Sequence, residues 1–556
     1  MKIKFLFFPI ALFLLPLAAR AQAWKWAKSL GTPNNSTSVK NIRPYTGTNV
    51  LVSGSFAAPS LTFGSQTLAN AGQDDGFVAI SNDAGQYTWA AQFGGSARDF
   101  VVDAAASPTG DLVVAGNFSS ISLTIGATNL FNSGETDAFL AKYNPDKTLA
   151  WAVKIGSAEI DEISGVVLDA NGNTYVSGQV TDKFSQKVLN VFLRKYDAAG
   201  SLVWETIGTI QGGILQTTAL TLDDNQNIYL AGSVSGTVAF DGISFSSDDD
   251  YSAFIVKYND SGALLDHVVV HGLDKFNGLQ AHGNHIYACA EKVNWSFGWG
   301  WPLTDSKIHV LQFDLDLNTV WEKLAGGETP AQSLDIARGI SVDSSGNAYV
   351  TGYFFSDTLH FAGQALPNLY NVNYYYPQIF VFKYAPSGDE LWGKSFGGIH
   401  SDEGTGIYAF GDDQFYLGGN FESEPVAFGA YGLHNTGTLD SMYVHLRPAR
   451  YVRKTLGFLA VFDKNLSDTN PEPAFRHVVL FPNPAADHLT LRLTSPTQSP
   501  LTLYISSSDG RLLRQSEHSG QFLEIRADLN GLAPGLYFVT LKSAGGVFSS
   551  KFVKGF

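Results

Sequence analysis

The chain has 556 residues, of which 44% are hydrophobic, 13% aromatic and 16% charged, with 56 glycines; this suits many short strands joined by tight turns and excludes a disordered polar chain. A single cysteine, Cys289, excludes an intramolecular disulfide, so packing alone holds the fold. Residues 22–476 carry 26 Lys/Arg against 46 Asp/Glu, a net of −20, which speaks against nucleic acid or an anionic membrane as partner.

Lys2 and Lys4 precede an apolar run from Phe5 to Ala19, followed by small residues in A-x-A order at Ala19-Arg20-Ala21 or Ala21-Gln22-Ala23. This describes a secretory signal peptide over residues 1–21, with a mature chain starting at Gln22 or Trp24. No later stretch reaches the roughly 18 apolar residues of a transmembrane helix, so no transmembrane anchor is expected.

Residues 24–450 read as a repeat. A strand ending in Gly recurs at Val50–Gly54, Leu112–Gly116, Thr174–Gly178, Ile228–Gly232, Ala348–Gly352 and Phe415–Gly419, with Ile286–Ala290 as a seventh, altered copy. Each is followed by a strand of the Phe139-Leu140-Ala141-Lys142-Tyr143 type, the last placed at Met442–Leu446. A turn and a Trp slot then close the unit: Trp26, Trp89, Trp151, Trp204, Trp321 and Trp392, with Asp266 in one slot, at spacings of 53 to 71 residues. With one short strand before each Gly-ended strand, four strands per unit predict a seven-bladed β-propeller. The Trp26 strand precedes the first blade and the seventh lacks one of its own, so the ring closes if the N-terminal strand joins blade seven.

In blade six, Trp321, Gly326-Gly327, Asp335-Ile336-Ala337 and Asp343-Ser344-Ser345-Gly346-Asn347-Ala348-Tyr349-Val350-Thr351-Gly352 follow a pattern that resembles the SBBP-type bacterial β-propeller repeat. Blade five departs from it at His285, Cys289 and Ala290.

Residues 451–477, with Asn465, Ser467, Asp468, Asn470 and two prolines, read as a polar linker. From 478 to 556, alternating runs such as Leu489–Leu493 and Leu501–Ile505, with turn residues at Asp509-Gly510, predict a small Ig-like β-sandwich of six to seven strands. Leu480-Phe481-Pro482-Asn483-Pro484-Ala485, the stretch Leu529–Val539 with Gly535 and Tyr537, and Lys551–Gly555 with Lys554 resemble the type A C-terminal sorting domain of the type IX (Por) secretion system. The resemblance implies recognition by the type IX secretion machinery after passage through the periplasm, and a secreted or cell-surface protein.

Candidate chemistry is sparse. Asp169–Asn173 and Asp343–Asn347 place oxygens at alternate positions, as calcium loops and hairpin turns both do; turns are the favoured reading, and no cofactor is expected. Asp99, Asp161, Asp335 and Asp402 enter the innermost strands, either to ring the channel mouth or to bind their own loops. Ser81–Trp89 looks like a structural Asp-box turn, His271, His282 and His285 match no zinc spacing, and Cys289 reads as a buried small residue.

Two aromatic stretches lie between the second and third strands of blades five and six: Trp295, Trp299 and Trp301, then Tyr374, Tyr375 and Tyr376. They either offer planes to a glycan or envelope protein or pack on each other. The expected function is a secreted binding or scaffold module; the alternative is a glycan-active hydrolase or lyase with its site at the channel mouth.

Overall fold

The protein is described from a computed structural model, which covers residues 23–248, 250–298, 301–327, 333–368, 376–429, 431–438, 440–442, 450–452, 454–464, 478–497, 501–507, 512–518, 522–543 and 546–555. All regular elements among them are strands. Chain contacts divide the molecule into a unit spanning Trp24–Phe462 and a C-terminal unit from Asp463.

In the first unit the strands form antiparallel blades. Blade one runs outward through Thr37–Pro44, Val50–Phe56, Asp75–Ser81 and Tyr87–Phe93. Its second and third strands are buried at every residue, while the first and last mix buried with partly exposed and exposed residues. Neighbouring blades cover both faces of the middle strands, so these read as unbroken apolar runs. Blades three and four share one sheet because Leu202–Leu222 is both the outer strand of one and the inner strand of the next.

The inner strands Thr37–Pro44, Asp99–Ala106, Ile160–Leu168, the end of Leu202–Leu222, Lys275–His282, Ile336–Val342 and Asp402–Gly411 each pack beside the next. The seventh packs beside the first, so among the described residues seven inner strands close a ring. Blade seven holds Asp402–Gly411, Gln414–Phe421, Leu456–Asp463 and, as its outer strand, Ala23–Leu30. The N-terminal strand therefore closes the last blade, as its offset in the repeat requires.

One expected strand is corrected. The third strand of blade seven is Leu456–Asp463, not Met442–Leu446, and it lies in the stretch read as linker from 451. Phe458-Leu459-Ala460-Val461-Phe462 carries an aromatic at both ends, as do the third strands of blades two, three, four and six. Phe458 and Phe462 are buried. The longer connection between the second and third strands of this blade hid the match.

Blade-to-blade clasps repeat around the ring. The Trp indole of one outer strand donates to the turn of the next blade: Trp151 to the Ala198 carbonyl at 3.0 Å, Trp204 to Asp260 at 3.0 Å, Trp321 to Pro386 at 3.0 Å. Trp26 donates to the Asp83 carbonyl at 2.9 Å, joining blade seven to blade one through the Asp-box-like turn. Buried lysines of the third strands also reach turns of the next blade, Lys142 to the Gly172 carbonyl at 2.8 Å and Lys257 to the Leu315 carbonyl at 2.6 Å.

The C-terminal unit is a sandwich of two sheets. Val478–Phe481, His488–Thr497 and Phe522–Asp528 form one, and Leu512–His518, Leu501–Ser507, Gly535–Ser543 and Gly546–Lys554 the other. Leu489, Leu491, Leu503, Ile505, Val539, Leu541 and Phe552 fill the space between them.

Candidate functional site

The feature that shapes the channel is a β-bulge at the same place in every inner strand. The pairing with the second strand skips one residue between Val39 and Asn41, Val101 and Asp103, Ile163 and Gly165, Thr217 and Ala219, Phe276 and Gly278, Ala337 and Gly339, and Gly404 and Gly406. The skipped residues are Lys40, Val102, Ser164, Thr218, Asn277, Arg338 and Thr405. A bulge re-aims a side chain out of the ladder, and all seven line one cavity of about 160 Å³ on the ring axis.

The recurring Gly of the second strand is the counterpart of this bulge. A Cβ at Gly54 would lie 1.9 Å from the Ser38 carbonyl oxygen, and at Gly352 1.9 Å from that of Ile336. The conspicuous glycines are thus spent on close backbone approach, and the variable residues opposite them form the lumen. That Gly, which in the sequence marks a strand end, is also the sequence signal for the collar.

Two larger cavities open toward the ends at which the inner strands begin. One, of about 420 Å³, is lined by Asn117, Glu162, Gln179, Gln216, Lys275 and Arg338, among others. The other, of about 360 Å³, includes Lys40, Asp74, Glu403, Asn420 and Glu422. Within the first, Lys275 pairs with Glu291 at 3.2 Å, and Asn277 donates to the same carboxylate at 2.9 Å. Arg43 holds Asp103 through two bonds, at 3.0 and 2.9 Å, further along the lumen.

The four entry aspartates serve their own loops. Asp99 accepts from the Gly95, Ser119 and Ser120 amides and the Ser120 hydroxyl, at 2.6–3.1 Å. Asp335 repeats the set with Gly327, Phe355 and Ser356, and Asp402 with Gly398, Glu422 and Ser423. Asp161 accepts from Ser157. Burial pushes Asp402 up to about 7 in spite of these donors, and raises Asp335 as well.

The Asp–Asn loops are turns by their bonding. Asp169 accepts from the Asn171 and Asn173 amides and from the Asn173 side chain, and Asp343 does the same with Ser345 and Asn347. Among the described residues no group of three or more His, Cys, Asp or Glu is placed to hold a metal ion. His271 lies beside Ser252 and Asp248. Cys289 is fully buried and its thiol is pushed up to about 12 by that burial.

The aromatic stretches differ from the expected loops. In blade five, Trp295 and Trp301 belong to the paired strands His285–Gly298 and Trp301–Asp314, a long hairpin in which Gly298 faces Trp301. Trp299, Tyr374 and Tyr375 lie outside the described residues. Tyr376 is buried, with its ring edge-on to His400 at 5.2 Å, and so is no open stacking plane. The root of the blade-five hairpin is the Glu291 that pairs with Lys275, which ties the aromatic segment to the 420 Å³ cavity.

In the C-terminal unit the separate motifs meet. The Ala485 amide donates to the Val553 carbonyl and the Gly555 amide to the Ala485 carbonyl, both at 2.8 Å. Asn483 accepts from the Val553 amide at 2.9 Å. Gly535 pairs with Lys554 and Tyr537 with Phe552, whose rings stack at 5.8 Å. Tyr537 also donates to the Ala533 carbonyl at 2.7 Å. The Pro482-Asn483-Pro484 segment, the Gly535–Tyr537 segment and the terminal strand thus form one contiguous corner.

Residues 479–555 match the secretion system C-terminal sorting domain family, and residues 324–353 the SBBP β-propeller repeat. The sorting domain directs the protein to export by the type IX route, to the cell surface or the medium, and implies contact with that machinery. No described helix is long and apolar enough to cross a membrane. An uncharacterized WD repeat-containing protein of Acanthamoeba polyphaga mimivirus is 20% identical over 72% of this chain, which spans 31% of that relative. Among solved structures, the phage phi92 endosialidase aligns over 96% of this chain and 88% of its own, at 10% identity and a TM-score of 0.35. The plexin A4 extracellular region aligns over 80% and 59%, at 8% identity and a TM-score of 0.33.

Proposed function

We propose that this SBBP-repeat β-propeller with a type IX sorting tail is a secreted or surface-displayed binding module whose ligand enters the channel mouth. The observation that carries the reading is the convergence of seven bulged side chains on one lumen, beneath a cavity of about 420 Å³ lined by amides and charges. Planar amides such as Gln179, Gln216 and Asn117 suit the hydroxyls of a glycan or the backbone of an envelope protein. The sequence stretches that hold Trp295, Trp299 and Trp301, and Tyr374 and Tyr375, are the candidate aromatic planes for such a ligand.

The test is a binding screen of the mature chain against glycans and envelope proteins. A ligand found this way should bind the Gln179→Ala/Gln216→Ala variant at least tenfold more weakly, and Trp299→Ala more weakly still. Unchanged binding by both folded variants would place the site elsewhere. Turnover of a glycan, lost on Glu403→Gln or Glu422→Gln, would make the protein an enzyme instead.

A further inference from the structure

The bulge collar has a charge balance unlike the rest of the molecule. The titratable residues lining the 160 Å³ cavity are Lys40, Arg43, Asp103 and Arg338. Asp103 is already bound by Arg43 through both carboxylate oxygens, so this pair is internally neutral. Lys40 and Arg338 remain, two positive charges at the same level of the ring, on blades separated only by blade seven. The other collar residues are Ser164, Thr218, Asn277, Thr405 and Val102, which add no carboxylate; the Asn277 amide is donated to Glu291 and the Ala337 carbonyl, and the Thr218 hydroxyl to the Phe276 carbonyl.

We infer that the collar is a binding site for one small oxyanion: a free phosphate or the carboxylate of an acidic sugar. A lumen walled by protein strengthens the attraction of paired cations for such a group relative to open solvent. Arg offers planar, forked donors and Lys a mobile point charge, a combination that matches an oxyanion approached from two sides. The volume admits a small oxyanion with some of its water.

The surroundings set the size limit. Residues 22–476 carry a net charge of −20, so a polyanion is repelled before it reaches the mouth, whereas a small anion of one or two charges is repelled much less at physiological salt. Arg338 is held by the Tyr353 hydroxyl at 3.1 Å, which fixes the guanidinium at the wall and leaves other N–H donors for a ligand. Glu291, the carboxylate near it on blade five, is occupied by Lys275 and Asn277. Glu403 sits two residues before the blade-seven bulge, on the mouth side, and competes with an incoming anion for Arg338.

The inference deepens the channel-mouth reading and rests on it for the route of entry. The experiment is isothermal titration of the mature protein, at constant ionic strength, with inorganic phosphate in one arm and glucuronate in the other. Saturable binding of one anion per chain is expected in at least one arm; the arm that responds identifies the source. Lys40→Gln and Arg338→Gln should each weaken it at least tenfold, and Glu403→Gln should tighten it severalfold. Lys40 is exposed to the lumen, so its substitution spares the fold and carries the test even if Arg338→Gln is unstable. Absence of saturable binding in both arms, or binding by Lys40→Gln equal to the parent, overturns the inference. Intact anion binding by Gln179→Ala/Gln216→Ala, alongside loss of the screened ligand, separates the collar from the mouth site.

Discussion

The propeller and the C-terminal sandwich use their recurrent residues in opposite ways. In the propeller, the residues that repeat are consumed by the scaffold. The entry aspartates bind loop amides, Trp and Lys clasp the next blade, and the strand-end Gly admits a carbonyl. The bulged position that faces the channel does not repeat: Lys40, Val102, Ser164, Thr218, Asn277, Arg338 and Thr405. In the sandwich the motif residues themselves gather at one corner, through bonds between Asn483, Ala485, Val553 and Gly555. A motif in the repeat therefore points to packing, whereas the motifs of the sandwich converge on one place in its fold.

The comparison breaks first on export. Removing residues 478–556 should abolish appearance of the protein outside its native host and leave a folded propeller in the periplasm, read by immunoblot of medium, surface and periplasmic fractions. Undiminished secretion would show that the corner is only structural.

A smaller effect tests whether the scaffold depends on its closing strand. Trp24 is buried, with its ring edge-on to Phe396, Phe415, Phe428 and Phe462 at 4.8–5.9 Å. Trp24→Ala should cost about 3–5 kcal/mol by urea denaturation of the mature chain. A loss below about 1 kcal/mol, the scale of an exposed contact, would mean that the N-terminal strand is not integral to blade seven.

The smallest effect concerns pH. The native carboxyl of Asp402 is raised by burial to about 7, from 3.8, so the folded state holds a proton over this window that the unfolded chain has released. Its contribution to stability is fully present below about pH 4 and is lost as pH rises through 7. Asp402→Asn should therefore flatten the fall in stability between about pH 4 and 7 relative to the parent, measured by urea midpoints at each pH. An unchanged slope would show that the four donors around Asp402 keep it ionised.

Local chemistry made much of this legible. Strand-end glycines, Trp slots and the offset of Trp26 were enough for seven blades and their closure, because each blade must repeat the same solution to burying its faces. The third strand of blade seven is hidden in the sequence because its match, Phe458 to Phe462, lies beyond an unusually long connection. The aromatic stretch of blade five reads as a loop from its Trp and Gly content, yet Trp295 and Trp301 are held in a paired hairpin. Pairing across strands overrode composition there.

The sequence by itself determined the repeat, its ring closure and the sorting tail, since these rest on residues whose chemistry is satisfied within one blade, its neighbour, or one short motif. Only the tertiary structure decided where the channel residues meet. Lys40 and Arg338 are almost 300 positions apart in the chain and share no motif. They face one lumen because a bulge in each inner strand turns one side chain inward, and because closing the ring brings blade one back to within two blades of blade six.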